Sequence, residues 1–390
     1  MSRKILDIEV LRGIAILFVV IHHAHGYLFS WPSQELAQFY AYFGGAAGVD
    51  LFFAISGFVI ARDLLPRLQQ VADKDKIRFI LAFWVRRAWR LWPSAWIWLF
   101  LTLLLVFAYN DSRVFGGARA NIEAVIAGLA QIANFRLAET FGQSEYVVSS
   151  VYWSLSLEEQ FYIFLPLLAV ALRKYFIYVI SAIAIVQLIE PRTSMYAIAF
   201  RTDALCFGVL LAVISRKQEY VLAAPVFLAS KVASFCFVVL LMVLLLTLGS
   251  HHLNITPYRF SFVAFFSLVL VFVASYDRDL IFYRINFIRR SLIWVGERSY
   301  AIYLTHMPCF YMVRETWHRF TGGAAPTQEQ FLLFLSSASF LILLLSELNF
   351  RLIEVPFRKR GSRIASAMVT SSPDTGVRLA TAEPGMNQAR

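Results

Sequence analysis

Cysteine is scarce in this chain, and its positions exclude a disulfide framework. Three cysteines occur in 390 residues, Cys206, Cys236 and Cys309, and all of them lie inside apolar stretches. An odd number at such positions forms neither a set of disulfides nor a metal-ligand spacing. The sequence therefore predicts that they are small apolar packing residues, and it predicts no metal site.

Charged residues are also few, and acidic residues are fewer than basic ones. The chain has 25 Asp and Glu against 36 Lys and Arg, for a formal net charge of +11, and only 16% of its residues are charged. The basic residues cluster in the loops between apolar runs, which is the pattern of cytoplasmic loops in membrane proteins. The sequence therefore predicts that these basic loops border a lipid bilayer, and it predicts no binding of nucleic acid.

Apolar residues are in large excess. Hydrophobic residues make up 59% of the chain, with 36 Phe and 9 Trp. The mean hydropathy is +0.63. These values far exceed those of a soluble chain of this length, so the core is expected to be a bundle of helices in lipid.

The first apolar segment, Val10 to Phe29, carries two ionisable residues, Arg12 and His23. No small-residue cleavage site follows it, so it is predicted to be a retained span rather than a signal peptide. Eleven residues make about three helical turns, which places both side chains on one face, ~16 Å apart, with His22 pointing ~80° away. Ionisable residues at membrane depth face a protein interior or a water-filled cavity. This pattern is typical of a membrane enzyme or transporter.

Windows of about 20 apolar residues predict the fold class, an all-α polytopic membrane helical bundle. The ten predicted spans lie near residues 10–29, 44–61, 91–109, 152–172, 175–189, 194–214, 232–248, 260–276, 292–313 and 331–353. Polar residues interrupt segment 118–135, which is predicted to be one short, non-spanning helix. This assignment places all the basic loops and both termini in the cytoplasm.

The chain is predicted to have one folded domain, residues 1–360, and a tail. Residues 361–390 are rich in Ser, Thr, Ala, Gly and Pro without periodicity. Such a composition is typical of a disordered segment, here on the cytoplasmic side. No internal repeat is visible in the sequence.

Two adjacent carboxylates interrupt the fourth span, Glu158 and Glu159. Neighbouring residues on a helix point ~100° apart, so the two side chains cannot do one job together. Ser154, Glu158 and Tyr162 share one stripe of the helix. Each carboxylate is either a structural group bonded within the bundle or part of a site.

Polar residues also interrupt two later spans. Ser299, Tyr303 and His306 recur along one face of the ninth span, where His306 is either a packing residue or a functional one. In the sixth span, Arg201 and Asp203 are close enough in sequence to neutralise each other or a shared partner. Both a structural ion pair and a substrate contact fit this pattern.

Three arginines lie at the cytoplasmic side of the second and third spans. Arg87 and Arg90, three residues apart, share a helix face near several tryptophans, and Arg62 ends the second span. These residues are either a solvated positive cluster that sets the membrane topology or a phosphate site. The second alternative rests on the good fit of guanidinium groups to phosphate.

Seven motifs, in this order, resemble acyltransferase family 3 from about residue 5 to residue 360. They are Leu11-Arg-Gly-Ile-Ala followed by His23, Gly48-Val-Asp-Leu-Phe-Phe-Ala-Ile-Ser-Gly-Phe, Arg87 to Arg90, Trp153-Ser-Leu-Ser-Leu-Glu-Glu-Gln-Phe-Tyr, Arg201-Thr-Asp with Gly208, Ser299-Tyr-Ala-Ile-Tyr-Leu-Thr-His, and Glu354-Val-Pro. Any one of these motifs is weak evidence, but seven in sequence are strong evidence.

The resemblance implies a multi-pass enzyme of the cell membrane that moves an acyl group, most often acetyl from acetyl-CoA, to hydroxyl groups of extracytoplasmic glycans such as O-antigen or exopolysaccharide. It implies acetyl-CoA as a substrate and no permanently bound cofactor. The residues it implies are the catalytic His23 and Glu158; Arg12, Arg62, Arg87 and Arg90 for the acyl-CoA; and Asp50, Ser56, Glu159, Arg201, Asp203, Tyr303 and His306 as acceptor-side or structural groups.

Two questions stay open at the level of sequence. His23 is either a general base on the acceptor hydroxyl or a nucleophile that carries the acyl group, and Glu158 either orients the imidazole or binds substrate. The rival function is a transporter of a small polar solute, since ten spans with charges near the midplane also fit that class. The basic cluster on one side and the absence of visible repeats favour the acyltransferase.

Overall fold

The computed structural model describes residues 4–143, 145, 147–250, 256–282 and 286–370, and regular structure in these ranges is helical throughout. The first helices are α1 (Leu6–Tyr27), α2 (Gln34–Tyr42), α3 (Ala47–Gln70), α4 (Lys76–Ala108), α5 (Ala118–Leu129), α6 (Ala133–Thr140), α7 (Tyr152–Leu172), α8 (Phe176–Ile189) and α9 (Met195–Ala199). They are followed by α10 (Asp203–Ile214), α11 (Gln218–Leu222), α12 (Lys231–Leu248), α13 (Arg259–Ser275), α14 (Asn286–Glu297), α15 (Ser299–Thr321), α16 (Phe331–Asn349) and α17 (Val355–Thr370).

Length and apolar composition identify five candidate membrane spans in the described residues: Gln34–Gln70, Asp73–Ala108, Val148–Ile189, Met195–Ile214 and Gln328–Val369. Two apolar helices, Val232–Leu248 and Arg259–Ser275, are shorter. The predicted fold class, an all-α polytopic membrane protein, is confirmed. The total of ten spans stays a prediction, because α1 and α15 carry charged residues and are not among the five.

Two predicted spans are broken where an arginine lies. Segment 194–214 forms α9 and α10 with Arg201 between them, and the Arg201 guanidinium donates to the Ile198 carbonyl at 2.8 Å. Segment 292–313 is interrupted at Arg298, between α14 and α15. Each of these two predicted spans is therefore formed by two helices that meet at an arginine, and Met195–Ile214 stays a candidate span.

Segment 118–135 is two short helices rather than one. Gln131, which lies between α5 and α6, has a φ of 58°, a left-handed conformation that ends the first helix. The 12 residues of α5 rise only ~18 Å, less than the ~30 Å hydrocarbon core, so this helix is too short to span a bilayer.

The predicted tail boundary at residue 361 also needs correction. Helix α17 continues through Gly361 to Thr370, and residues 371–390 lie outside the described residues. A Cβ atom at Gly361 would lie 2.3 Å from Trp89 Cβ, so α17 packs directly on α4. The Phe357 ring stacks on Trp89 with centroids 5.8 Å apart. This contact is why the segment is helical.

Helix α1 is held tightly against α14 by two glycines. A Cβ atom at Gly13 would lie 2.3 Å from the Leu292 carbonyl oxygen, and one at Gly296 would lie 1.9 Å from the Glu9 carbonyl oxygen. Only glycine permits so close an approach of two helix backbones. The crossing fixes the position of the first half of α1.

Helices α1 and α15 lie side by side and run in the same direction. Arg12 and Ser299, near their beginnings, line one cavity. Farther along, His23 contacts His306, and Arg314 donates to the Gly26 carbonyl at 3.3 Å. The bundle therefore has two ends, which we call the Arg12 end and the His23 end.

Candidate active site

His23 and His306 form a hydrogen-bonded pair between α1 and α15. The Nδ1 atom of His306 lies 2.7 Å from the Tyr303 carbonyl oxygen, and its Nε2 atom lies 3.1 Å from Nδ1 of His23. A carbonyl only accepts, so the bonds assign the proton of His306 to Nδ1, and its Nε2 accepts from His23 Nδ1. In this arrangement His23 Nε2 has a lone pair for chemistry.

Tyr303 links the histidine pair to the start of α7. Its hydroxyl donates to the Val151 carbonyl at 2.7 Å, so the Ser154 hydroxyl, also 2.7 Å away, donates to Tyr303. Tyr303, Val151 and Ser154 are all buried. The network holds α15, and with it His306, at one position along α7.

A cavity extends from Tyr303 toward the Arg12 end, and we call it the arginine cavity. Five helices line it: α1, α3, α4, α7 and α15. Its polar lining residues are Arg12, Ser56, Arg87, Arg90, Ser154, Glu158, Tyr162, Ser299, Tyr300 and Tyr303. The structure thus brings together, in one cavity, residues from five separate sequence motifs.

The arginines of this cavity differ in how they are neutralised. Arg12 lies 3.4 Å from the Glu9 carboxylate. Among the described residues, no carboxylate lies within salt-bridge distance of Arg87 or Arg90. Arg87 lies over the Tyr162 ring, 5.5 Å from its centroid, and the buried Nε of Arg90 has no hydrogen-bond partner there. The two guanidinium groups are therefore open to an anion.

Glu158 faces the arginine cavity, where it accepts a hydrogen bond from the Tyr162 hydroxyl. Its neighbour Glu159 does not line the arginine cavity, and both carboxylates line a second, small cavity beside Trp92. The imidazole partner of His23 is His306 rather than a carboxylate. The place of Glu158 in the arginine cavity favours the second of its two predicted roles, substrate binding, which stays a prediction.

Asp50, Arg201 and Asp203 take part in buried ion pairs. Arg201 binds Asp50 of α3 through two hydrogen bonds of 2.7 and 3.0 Å, and its guanidinium lies 4.9 Å from the Trp153 ring centroid. Asp203 pairs with Arg192. The sequence left open whether Arg201 and Asp203 neutralise each other or a shared partner, and in the structure each has a salt-bridge partner of its own.

The remaining predicted residue, Arg62, does not line the arginine cavity. Its guanidinium lies over the Phe58 ring, 5.9 Å from the centroid. No group of three or more His, Cys, Asp or Glu side chains that could hold a metal ion occurs within the described ranges.

A second cavity, which we call the loop cavity, lies at the His23 end. Sequence reasoning missed it because its residues come from the non-spanning segment and the loop after it. Tyr27, Arg136, Thr140, Phe141, Ser149 and Ser150 are among its lining residues. Burial lowers the pKa of the Arg136 guanidinium, and the nearby Glu123 carboxylate opposes that shift.

Glu315 was also missed, and it holds the loop after α4. Its fully buried carboxylate accepts the backbone N–H groups of Asp111 and Ser112, at 2.8 and 3.1 Å, and the Arg319 guanidinium at 2.9 Å. The predicted span ended at residue 313, so this carboxylate counted as a loop residue. A helix that continues to Thr321 places it inside instead.

Comparison with known proteins agrees with the residue pattern. The profile of the acyltransferase domain family matches residues 5–348. Peptidoglycan O-acetyltransferase OatA of Listeria monocytogenes is 26% identical over 92% of this chain and 57% of its own length. A putative O-acetyltransferase of Staphylococcus aureus is 28% identical over 92% of this chain and 58% of its own.

The chain therefore spans somewhat more than half the length of these curated relatives. O-acetyltransferase OatA of Staphylococcus aureus is a further relative, 24% identical over 92% of this chain and 58% of its own length. No solved structure matches the chain significantly. The family profile covers nearly all of the helical bundle, and the resemblance seen in the motifs is confirmed. This chain belongs to the acyltransferase domain family, acyltransferase family 3.

Proposed function

We propose that this protein transfers an acetyl group from cytoplasmic acetyl-CoA to a hydroxyl group of an extracytoplasmic glycan or glycolipid. Family membership and relatives named O-acetyltransferases support an acyltransferase. Neither observation supports the alternative, a solute transporter. The observation that carries the proposal is the place of the histidine pair between two cavities.

Each histidine lies within four residues of a tyrosine that lines one of the two cavities. Tyr303, which lines the arginine cavity, precedes His306 on α15 by three residues. Tyr27, which lines the loop cavity, follows His23 by four residues, and the two rings are 6.1 Å apart. A donor in the first cavity and an acceptor in the second would meet at His23.

The site proposed for acetyl-CoA follows from the charges that line the arginine cavity. The phosphate groups of CoA are too polar for hydrocarbon, and guanidinium groups bind phosphate through charge-assisted hydrogen bonds. Arg87 and Arg90 have no carboxylate partner among the described residues, so they are the groups we assign to the phosphates. The pantetheine arm would then extend along the cavity toward Tyr303.

The chemical step uses the lone pair of His23 Nε2. His23 takes the proton of the acceptor hydroxyl while the hydroxyl oxygen bonds to the thioester carbonyl carbon. The carbon–sulfur bond then breaks, and the imidazolium returns the proton to the sulfur of CoA. His306 acts through its Nε2, which accepts from His23 Nδ1 and so orients the imidazole. We propose the general-base role for His23 rather than the acyl carrier.

The orientation is proposed from the basic loops. With the N-terminus in the cytoplasm, the Arg12 end faces acetyl-CoA and the His23 end faces the extracytoplasmic space. Reporter fusions at Ser33, Gly117 and Gly323 are expected to report outside, and a fusion at the C-terminus inside. A cytoplasmic signal at Gly117 would contradict the orientation proposed for the loop cavity.

The experiment that tests the function compares the surface glycans of cells with and without this protein by mass spectrometry. The expected result is an O-acetyl group present only with the protein, and labelled when purified protein receives acetyl-CoA with a labelled acetyl group. The name of the Listeria relative makes peptidoglycan the first acceptor to assay. Identical O-acetyl content in both sets of cells would overturn the proposal.

A further inference from the structure

The loop cavity lies where four segments meet at the His23 end. Tyr27 comes from the end of α1, Ala124 from α5, Arg136 from α6, and Ser149 from the 3-10 turn Val148–Val151 that precedes α7. That turn also supplies the Val151 carbonyl, which accepts the hydroxyl of Tyr303 at 2.7 Å. The cavity wall is thus continuous with the network that holds the histidine pair.

Two polar side chains of this cavity each have a buried hydrogen-bonding atom without a partner among the described residues. Ser149 is 2% exposed, and its hydroxyl has no hydrogen-bond partner among the described residues. The Nε atom of Arg136 is also buried and unpartnered there. The rest of that guanidinium is held, because Nη2 donates to the Ala120 carbonyl at 3.2 Å and lies 3.9 Å from the Glu123 carboxylate.

Unmade hydrogen bonds on buried groups are costly, so two of them on one cavity indicate an occupant with oxygen atoms to bind. Tyr27 and Phe141 add aromatic surface to the same wall. Small-molecule sites usually combine aromatic and apolar side chains with a few hydrogen-bond donors at fixed positions. A sugar unit, with ring carbons to pack and oxygen atoms to accept, has the matching chemistry.

We propose that the loop cavity is the acceptor subsite, where Arg136 Nε and the Ser149 hydroxyl bind oxygen atoms of one sugar unit of the glycan. This inference rests on the proposed function and adds the residues that select the acceptor. The sugar lies beside Tyr27, whose ring is 6.1 Å from that of His23, so that one of its hydroxyl groups reaches His23 Nε2. Arg136 and Ser149 are binding residues and take no proton in the reaction.

The test uses the double variant Arg136→Gln with Ser149→Ala, expressed in cells at a membrane level equal to that of the parent protein. Arg119→Gln is the matched control, because Arg119 donates to the same carboxylate, Glu123, at 3.0 Å but is exposed. Two measurements are made: the O-acetyl content of the surface glycans, and the binding of radiolabelled acetyl-CoA to each purified full-length protein in nanodiscs.

Loss of two hydrogen bonds to the acceptor should lower O-acetyl content about tenfold in the double variant, with acetyl-CoA affinity within about twofold of the parent. The control should match the parent in both measurements. Parent-level O-acetylation by the double variant would overturn the inference, and so would a parallel loss of acetyl-CoA binding. A parent protein that acetylates no glycan would instead overturn the proposed function.

Discussion

Two groups of arginines lie inside this bundle, and they are neutralised in opposite ways. Arg201 and Arg192 each have a buried carboxylate partner, Asp50 and Asp203. Arg87 and Arg90 of the arginine cavity have none among the described residues. A buried charge is costly unless it is paired. The paired group therefore serves the fold, and the open pair of guanidinium groups is the candidate for binding a ligand.

The largest expected effect is a loss of stability when a paired arginine, Arg201, loses its carboxylate partner. Replacing Asp50 with Ala leaves the Arg201 guanidinium, 3% exposed, without its bidentate partner. Removal of one partner from a buried ion pair costs about 3–5 kcal/mol. We expect a strongly reduced yield of folded protein and a lower melting temperature in detergent. A stable Asp50→Ala protein with impaired acetyl-CoA binding would mean that this group serves the substrate after all.

The second prediction concerns the histidine pair that separates the two cavities. His23→Ala removes the proposed base, and such losses lower the rate about 10²–10⁴-fold. O-acetylation from acetyl-CoA, measured in membranes at equal protein level, should fall by that factor.

His22→Ala is the matched control for this prediction, because His22 precedes His23 on the same helix and points ~100° away from it around the axis. The control is expected to retain most of the activity. Equal losses in the two variants would contradict the assignment of His23. An acetyl group trapped on His23 would show that it carries the acyl group instead of acting as a base.

The third prediction concerns the open guanidinium groups. Replacing Arg87 and Arg90 with Gln removes charge-assisted hydrogen bonds of about 1.5–3 kcal/mol each, so the KM for acetyl-CoA should rise at least tenfold. The melting temperature should change little, because no carboxylate of the described residues lies within salt-bridge distance of either guanidinium. Arg62→Gln is the control: Arg62 lies over Phe58, outside the cavity, and its loss should leave the KM within about twofold. If the double variant binds acetyl-CoA as the parent does, the cluster is only a topology signal.

The smallest expected effect belongs to another paired carboxylate, Glu315. The change Glu315→Gln keeps the side-chain size but weakens the bonds to the backbone N–H groups of Asp111 and Ser112. We expect a loss of about 1–3 kcal/mol in unfolding free energy, visible as a lower melting temperature, with O-acetylation per folded protein nearly unchanged. A selective loss of activity would show that Glu315 serves the reaction rather than the fold.

Sequence reasoning succeeded where the evidence is local along one helix. The arrangement of Arg12 and His23 on α1 follows from three turns of regular helix, and both residues lie beside α15. The short segment after α4 was correctly read as too polar and too short to span, although Gln131 divides it into two helices.

What the sequence left open was the identity of distant partners. It allowed Arg201 to pair with Asp203, two residues away, or with a shared partner, and Arg201 binds Asp50, 151 residues away. It allowed Glu158 to orient the imidazole of His23, and the partner of that imidazole is His306, 283 residues away. Periodicity describes which face a residue occupies, and it carries no information about which helix packs on that face.

The sequence by itself determined the class of this protein: a helical membrane bundle of the acyltransferase family, with ionisable residues where a plain span would have none. Long apolar runs and ordered motifs are enough for this, because both are properties of the chain read in one direction. Only the tertiary structure decided which arginines are neutralised, which histidines touch, and that two cavities lie on either side of them. Those facts depend on how helices dock, and docking is governed by close backbone contacts such as that between Gly13 and Leu292.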